Sequence, residues 1–318
     1  MTVTVTGPAA RRTRRPHGLP WAMLRLHRSA LWFWLLLVAL AAGILLWMYW
    51  WGADAVAAEY ARSGCDEEGT AEACFYSGPA YSRFSVGQSL SGALIGLVPL
   101  FTALWAGAAL IGRELENGTA QLAWTQSVSP ARWLAAKLAV PAALLTAGTI
   151  LLTLLHRLVW NAHTGLHALG SWEWHENRVY VANGTLATAY ALLGLAVGAL
   201  TGLLVRRSLA ALGSTFLAFL TLQYVITSQR PRLWPARTVT STEDYPDDIG
   251  MLVEQGRMTS TGQRVDVIDC YAQCVNHYRD YHPSSHFWPL QLMETGIVLA
   301  LVAAATAAAF WLLRRRTA

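Results

Sequence analysis

Residues 31–51 read LWFWLLLVALAAGILLWMYWW, 21 positions without a charge. At 1.5 Å per residue such a run crosses a hydrocarbon core of about 30 Å. Inside lipid each backbone polar group needs an internal partner, so the run is expected to be a helix. Five more uncharged stretches follow, between Arg83 and Arg113, Lys137 and Arg157, Arg178 and Arg206, Arg207 and Arg230, and Glu294 and Arg314. Of the 318 residues, 54% are apolar and 14% are charged, where soluble chains average about 25% charged. A soluble multidomain chain is therefore excluded. Disorder is excluded too, because 15 tryptophans leave no long stretch of low hydrophobicity. No repeat of fixed period is present, which argues against a solenoid.

The expected fold is an all-α membrane protein. It has six transmembrane helices, both termini cytoplasmic, an N-terminal interfacial helix and two large extracellular loops. One transmembrane domain then occupies 1–318, with a tail and interfacial helix at 1–30 and spans at 31–51, 86–112, 138–157, 179–205, 208–228 and 288–313. Outer segments fall at 52–85, 158–178 and 229–287, inner segments at 113–137 and 206–207, and a short tail at 314–318.

Charge chooses the orientation. The chain holds 24 basic and 19 acidic residues, a net charge of +5. With the termini inside, the cytoplasmic side receives Arg11, Arg12, Arg14, Arg15, Arg25, Arg28, Arg113, Arg132, Lys137, Arg206, Arg207, Arg314, Arg315 and Arg316, against only Glu114 and Glu116. That is the positive-inside pattern of a multi-pass plasma-membrane protein. The first run exceeds the roughly 7–15 apolar residues of a signal peptide, and no small-residue cleavage site follows Trp50-Trp51-Gly52. The Arg11-Arg12-Thr13-Arg14-Arg15 tail reads as attraction to anionic lipid heads rather than to nucleic acid. Trp21 and Leu24 with Arg25 and Arg28 are spaced for a short interfacial helix leading into the first span.

All four cysteines, Cys65, Cys74, Cys270 and Cys274, fall in the two large outer loops. An even count on the oxidising face suggests disulfides. Cys65 with Cys74 is the favoured pairing, and pairing across the loops stays open. Seven of the nine histidines are also outer, and His163 with His167 and His282 with His286 have i, i+4 spacing. Gly165 and Pro283 interrupt those helices and no acidic ligand pattern accompanies them, so no metal site is assigned.

The cytoplasmic segment holds the densest signal. It reads Arg113-Glu114-Leu115-Glu116-Asn117-Gly118-Thr119, continues through Leu122, Trp124 and Gln126 to Ser129-Pro130, and ends at Arg132, Trp133 and Lys137. Asn117-Gly118 signals a turn. Thr119 is placed to cap a helix, Leu122, Ala123, Trp124 and Val128 give that helix an apolar face, and Ser129-Pro130 ends or restarts a helix. The two acids are the only cytoplasmic carboxylates, which points to a docking surface for a cytoplasmic partner.

This segment resembles the one between the second and third helices of ATP-binding-cassette exporter permeases of the second type. The wording Leu122-Ala123-Trp124-Thr125-Gln126-Ser127-Val128 is similar to actinobacterial members. Six spans, inward termini and a large loop before the last span extend the likeness. The resemblance implies that this is a coupling helix seated in a cleft of a separate ATPase subunit. By that likeness the contact falls to Arg113, Glu114, Glu116, Gly118, Thr119, Leu122 and Gln126. The resemblance also implies cytoplasmic ATPase subunits that bind ATP and Mg, and a second permease half, identical or paralogous. Ser129-Pro130 replaces the commoner Pro-Val-Ser order, which puts the end of the coupling helix in question.

No G-x-x-x-x-G-K-[ST] phosphate loop is present, and Lys137 is the only lysine. The chain is therefore expected not to be an enzyme and to bind no cofactor itself. G-x-S-x-G and H-E-x-x-H are absent as well. Gly194, Gly198 and Gly202, and Gly92 with Gly96, mark faces where helices approach closely, and Pro99 is expected to kink the second span. By the family likeness, Ser91, Phe216, Phe219, Gln223 and Tyr224 are candidates for the substrate path. No charge sits at a span centre, so ion coupling lacks its usual marker and an amphipathic or lipid-like cargo fits. The rival reading is a ligand-sensing or assembly protein acting through its outer loops.

Overall fold

The computed structural model describes residues 19–62, 78–126, 128–163, 173–242, 250–265 and 274–317. Six helical stretches are long and apolar enough to cross a membrane: Arg28–Arg62, Pro79–Glu116, Pro130–Ala162, Leu186–Val205, Ser208–Arg232 and Ser284–Thr317. A short helix α1 (Leu19–Leu26) precedes them and lies against α7 (Pro130–Ala162). The first span is α2 (Arg28–Trp47), a π-helical turn at Met48–Gly52, and α3 (Ala53–Arg62). The second is α4 (Pro79–Trp105), a π segment at Ala106–Gly112, and α5 (Arg113–Glu116). Pro99 sits inside α4, and the π segment follows at its end.

The fourth span is not the continuous 179–205 helix of the sequence reading. It is α8 (Asn177–Ala182), a break, and α9 (Leu186–Val205). The break frees backbone carbonyls, and side chains from other spans satisfy them. Gln291 Nε2 donates to Tyr180 O at 2.5 Å, and Arg157 Nη1 donates to Asn183 O at 3.2 Å. Gly184 has no Cβ and so leaves room for the Gln291 amide. Irregular backbone at this depth is tolerated where protein covers it. The fifth and sixth spans are α10 (Ser208–Gln229), with a 3₁₀ turn at Arg230–Arg232, and α11 (Phe287–Thr317).

The all-α expectation fails in the loop at 229–287. Four strands form an antiparallel sheet in the order β1-β4-β2-β3. They are β1 (Arg237–Ser241), β2 (Met251–Thr259), β3 (Arg264–Val265) and β4 (Cys274–His282). The pattern is period-two and mixed in polarity: Tyr278, Asp280 and His282 are buried at alternate positions of β4. Asp280 receives Arg264 at 2.7 Å and the Thr238 hydroxyl at 2.5 Å, which ties β1 and β3 to β4. Gly256 faces Tyr278, whose ring occupies the place of a Cβ. The expected disulfides fall outside the described residues, except that the backbone of Cys274 opens β4.

The centre of the bundle is α9, packed against α4, α7, α10 and α11. Gly194, Gly198 and Gly202 face the second span, where an added Cβ would strike the carbonyls of Pro99, Ala103 and Gly107 in turn. The four-residue spacing therefore serves close packing within the chain. Gly96, by contrast, faces open space. Gly198→Ala should destabilise the chain by about 2 kcal/mol through overpacking, whereas Gly96→Ala should be neutral or stabilise by up to about 1 kcal/mol. Thermal unfolding of the detergent-purified variants checks both.

Candidate functional site at the basic end

Arg25, Arg28, Arg113, Arg132, Lys137, Arg206, Arg207 and Arg314 to Arg316 belong to one end of the bundle, where α1, α5, the start of α7, the α9–α10 turn and the last turn of α11 meet. The second span ends at Asn117, and Gly118 reverses the chain with φ +70. That left-handed geometry favours glycine. A seven-residue helix α6 (Thr119–Thr125) follows. The sequence reading gave its cap to Thr119. Gly118 holds that position, and the Thr119 hydroxyl instead donates to Glu114 O at 3.2 Å. Ser129 does cap α7, accepting from the Arg132 N–H at 3.4 Å, with Pro130 as the first helical residue.

Both acids of this end are bonded within the chain, Glu114 largely covered and Glu116 exposed. The Glu114 carboxylate accepts from Lys137 Nζ at 2.6 Å and from Trp133 Nε1 at 3.2 Å. Lys137 is 1% exposed and lies 5.3 Å from the Trp133 ring centroid. Trp133 packs edge-on to Trp124 of α6 at 5.6 Å. Glu116 accepts from the Ser208 N–H at 2.9 Å and its hydroxyl at 2.5 Å, which caps the start of α10. Both carboxylates thus fasten the segment within the chain. The face of the segment open to solvent carries Arg113, Thr119, Gln121, Leu122, Thr125 and Gln126.

His27 links α1 to the same cluster, standing edge-on to Trp105 at 5.5 Å. Burial, and then the charge of Lys137, hold its pKa below the usual value, with Glu114 opposing. The α9–α10 turn depends on Arg206, the one non-glycine residue with positive φ among the described residues (φ 57). The left-handed conformation costs about 1–2 kcal/mol in a residue with a side chain.

An ABC-2 membrane transporter-related family model matches residues 35–230, more than half of the chain. The chain belongs to that family. No curated protein and no solved structure matches it. As an ABC-2 family member with six apolar helices, it is a multi-pass membrane transporter subunit.

In this ABC-2 permease the five path candidates differ in exposure. Ser91 and Phe219 are fully buried, and the Ser91 hydroxyl donates to Gln88 O. Phe216 and Tyr224 are on the exposed surface of α10, and Gln223 is half-buried. Phe216, Phe219 and Gln223 lie on the unbroken helix α10 at the spacing of one face, and along it their exposure differs. A polar cavity of about 290 Å³ opens instead at the sheet end, among Ser85, Gln88 and Ser89 of α4, His156, Glu176 and Arg178.

The strongest buried polar cluster at the sheet end escaped the sequence reading. Glu294 of α11 is fully buried and pairs with Arg230 through bonds of 2.6 and 3.0 Å. Tyr190 Oη donates to Glu294 at 2.6 Å, and Arg230 also reaches Asn177 Oδ1 at 2.8 Å. The signal was available: an acid inside the last apolar helix and an arginine at the end of the fifth. Among the outer histidines, His282 and His286 touch through Nδ1 atoms 3.0 Å apart, and His163 Nε2 lies 3.0 Å from Tyr49 O. Among the described residues no three histidine, cysteine or acidic side chains converge on one point. His167 lies outside those residues.

Two outcomes follow from the Glu114–Lys137 cluster. Lys137→Met leaves Glu114 without its counter-charge and should cost about 3 kcal/mol, most of it recovered in Glu114→Gln/Lys137→Met; thermal melts of both variants decide. Because the His27 pKa is lowered on folding, its contribution is complete above about 6.5 and is lost as pH falls from there through the depressed value. The parent should therefore lose more thermal stability than His27→Leu between neutral and mildly acidic pH.

Proposed function

We propose that this ABC-2 subunit is the membrane half of an ATP-driven exporter, with its basic end in the cytoplasm and α6 as the element that docks into an ATPase subunit. Two permease halves, identical or paralogous, and two ATPase chains would complete the machine. ATP and Mg would bind to the ATPase chains. The observation that carries the reading is the two-sided character of α6. One side is bound through Trp124, Trp133, Glu114 and Lys137 to α7, while Thr119, Leu122 and Gln126 are exposed. Through Glu116 the preceding turn also grips α10. A push on α6 is thereby delivered to three spans together, as alternating access requires. An amphipathic or lipid-like cargo fits the uncharged surface that Phe216, Gln223 and Tyr224 give to α10.

The test is mild-detergent purification of the tagged full chain from its native membranes, beside a Leu122→Glu/Gln126→Glu variant. Both positions are exposed, so the variant should melt like the parent. An ABC ATPase should accompany the parent and fall at least about tenfold in the variant, a loss of roughly 1.4 kcal/mol or more in binding. Absence of any ATPase from the cross-linked parent, or its undiminished recovery with the variant, overturns the reading.

A further inference from the structure

The basic end holds a second feature that coupling does not use. A cavity of about 520 Å³ lies between α6, the α9–α10 turn and the last turns of α11. Leu115, Leu203 and Leu313 line it with apolar surface, Gln121, Trp124 and Thr317 with amphipathic or polar groups, and Arg206 and Arg316 with positive charge. Its size falls within the usual 300–1,000 Å³ or so of ligand sites. No carboxylate side chain lines it. Neither arginine forms an ion pair among the described residues. Arg316 donates one bond, to the Leu203 carbonyl near the end of α9. The Trp124 indole N–H is buried with no acceptor among the described residues. Arg206 reaches the cavity from a backbone conformation that disfavours any side chain.

We infer that this cavity binds the phosphate headgroup of an anionic phospholipid. Two like charges sharing a cavity without an acid call for an anion. The cavity lies at the ends of α9 and α11, the depth at which headgroups meet span ends. Leucine surface beside the arginines matches the glycerol and acyl portion of a lipid, which a free phosphate lacks. Basic pockets between spans on the cytoplasmic side are a recognised form of headgroup site. Such a lipid bridges α6 to α9 and α11, two spans that the Glu114 and Glu116 contacts do not reach.

The test uses the purified chain alone, so its outcome is separate from the ATPase reading. The chain is reconstituted in phosphatidylcholine nanodiscs containing a minor fraction of phosphatidylglycerol, then released and weighed by native mass spectrometry. The parent should retain phosphatidylglycerol, and Arg206→Gln/Arg316→Gln should retain at least about tenfold less. Arg314→Gln/Arg315→Gln loses the same charge outside the cavity and should retain it like the parent. If the double cavity variant does not fold, Arg206→Gln, which keeps the Arg316–Leu203 bond, should show a smaller loss in the same direction. Equal retention by all variants overturns the proposal. So does equal thermal protection of the parent by inorganic phosphate and by short-chain phosphatidylglycerol, which would make the site one for free anions. Full lipid retention with loss of a protein partner in the cavity variant would assign the arginines to that partner and also overturn it.

Discussion

The chain has a single lysine, and it stands buried at one end of the bundle, 2.6 Å from the one carboxylate that neutralises it. An ammonium group at this depth is costly unless it is paired. The pairing fixes more than two side chains. Glu114 belongs to the extension of the second span and Lys137 to the first turns of the third, so their contact sets the distance between those spans. The connection between them must then fold back, and Gly118, α6 and Ser129-Pro130 supply that reversal. Trp133 shares Glu114 with Lys137 and presents its ring to Trp124, so the short helix is positioned by the same charge.

The other end is organised alike. Arg230 and Glu294 form a buried pair that joins the fifth and sixth spans, with Tyr190 and Asn177 drawing in the two parts of the fourth. Between the two ion pairs, glycines on α9 bring its backbone against α4 and the π segment. Lipid offers no hydrophobic drive to hold helices together, so close packing in the middle and satisfied charges at the ends are the available means.

The six spans were legible because membrane crossing imposes one strong requirement, a long run without charge. The fastening acids were visible as residues but not as contacts. Nothing in the spacing of Glu114 and Lys137 says that they meet, since the intervening turn decides it. The break at 183–185 was hidden because Asn183, Gly184 and Thr185 are uncharged and left the run intact; its partners, Arg157 and Gln291, come from distant spans. The sheet was missed for the opposite reason. Its alternation is carried by Tyr278, Asp280 and His282, so the burial of a charged residue masked a pattern usually sought in apolar ones.

The π segment at Ala106–Gly112 gives the second span a phase as well as a length. One residue more or fewer per turn rotates everything beyond it by about 100°. If those seven residues relaxed to α geometry, Glu114 would turn away from Lys137 and Glu116 from Ser208. The wide turn and the two carboxylate contacts therefore act as ratchet and pawl: the contacts hold the winding, and the winding aims the contacts.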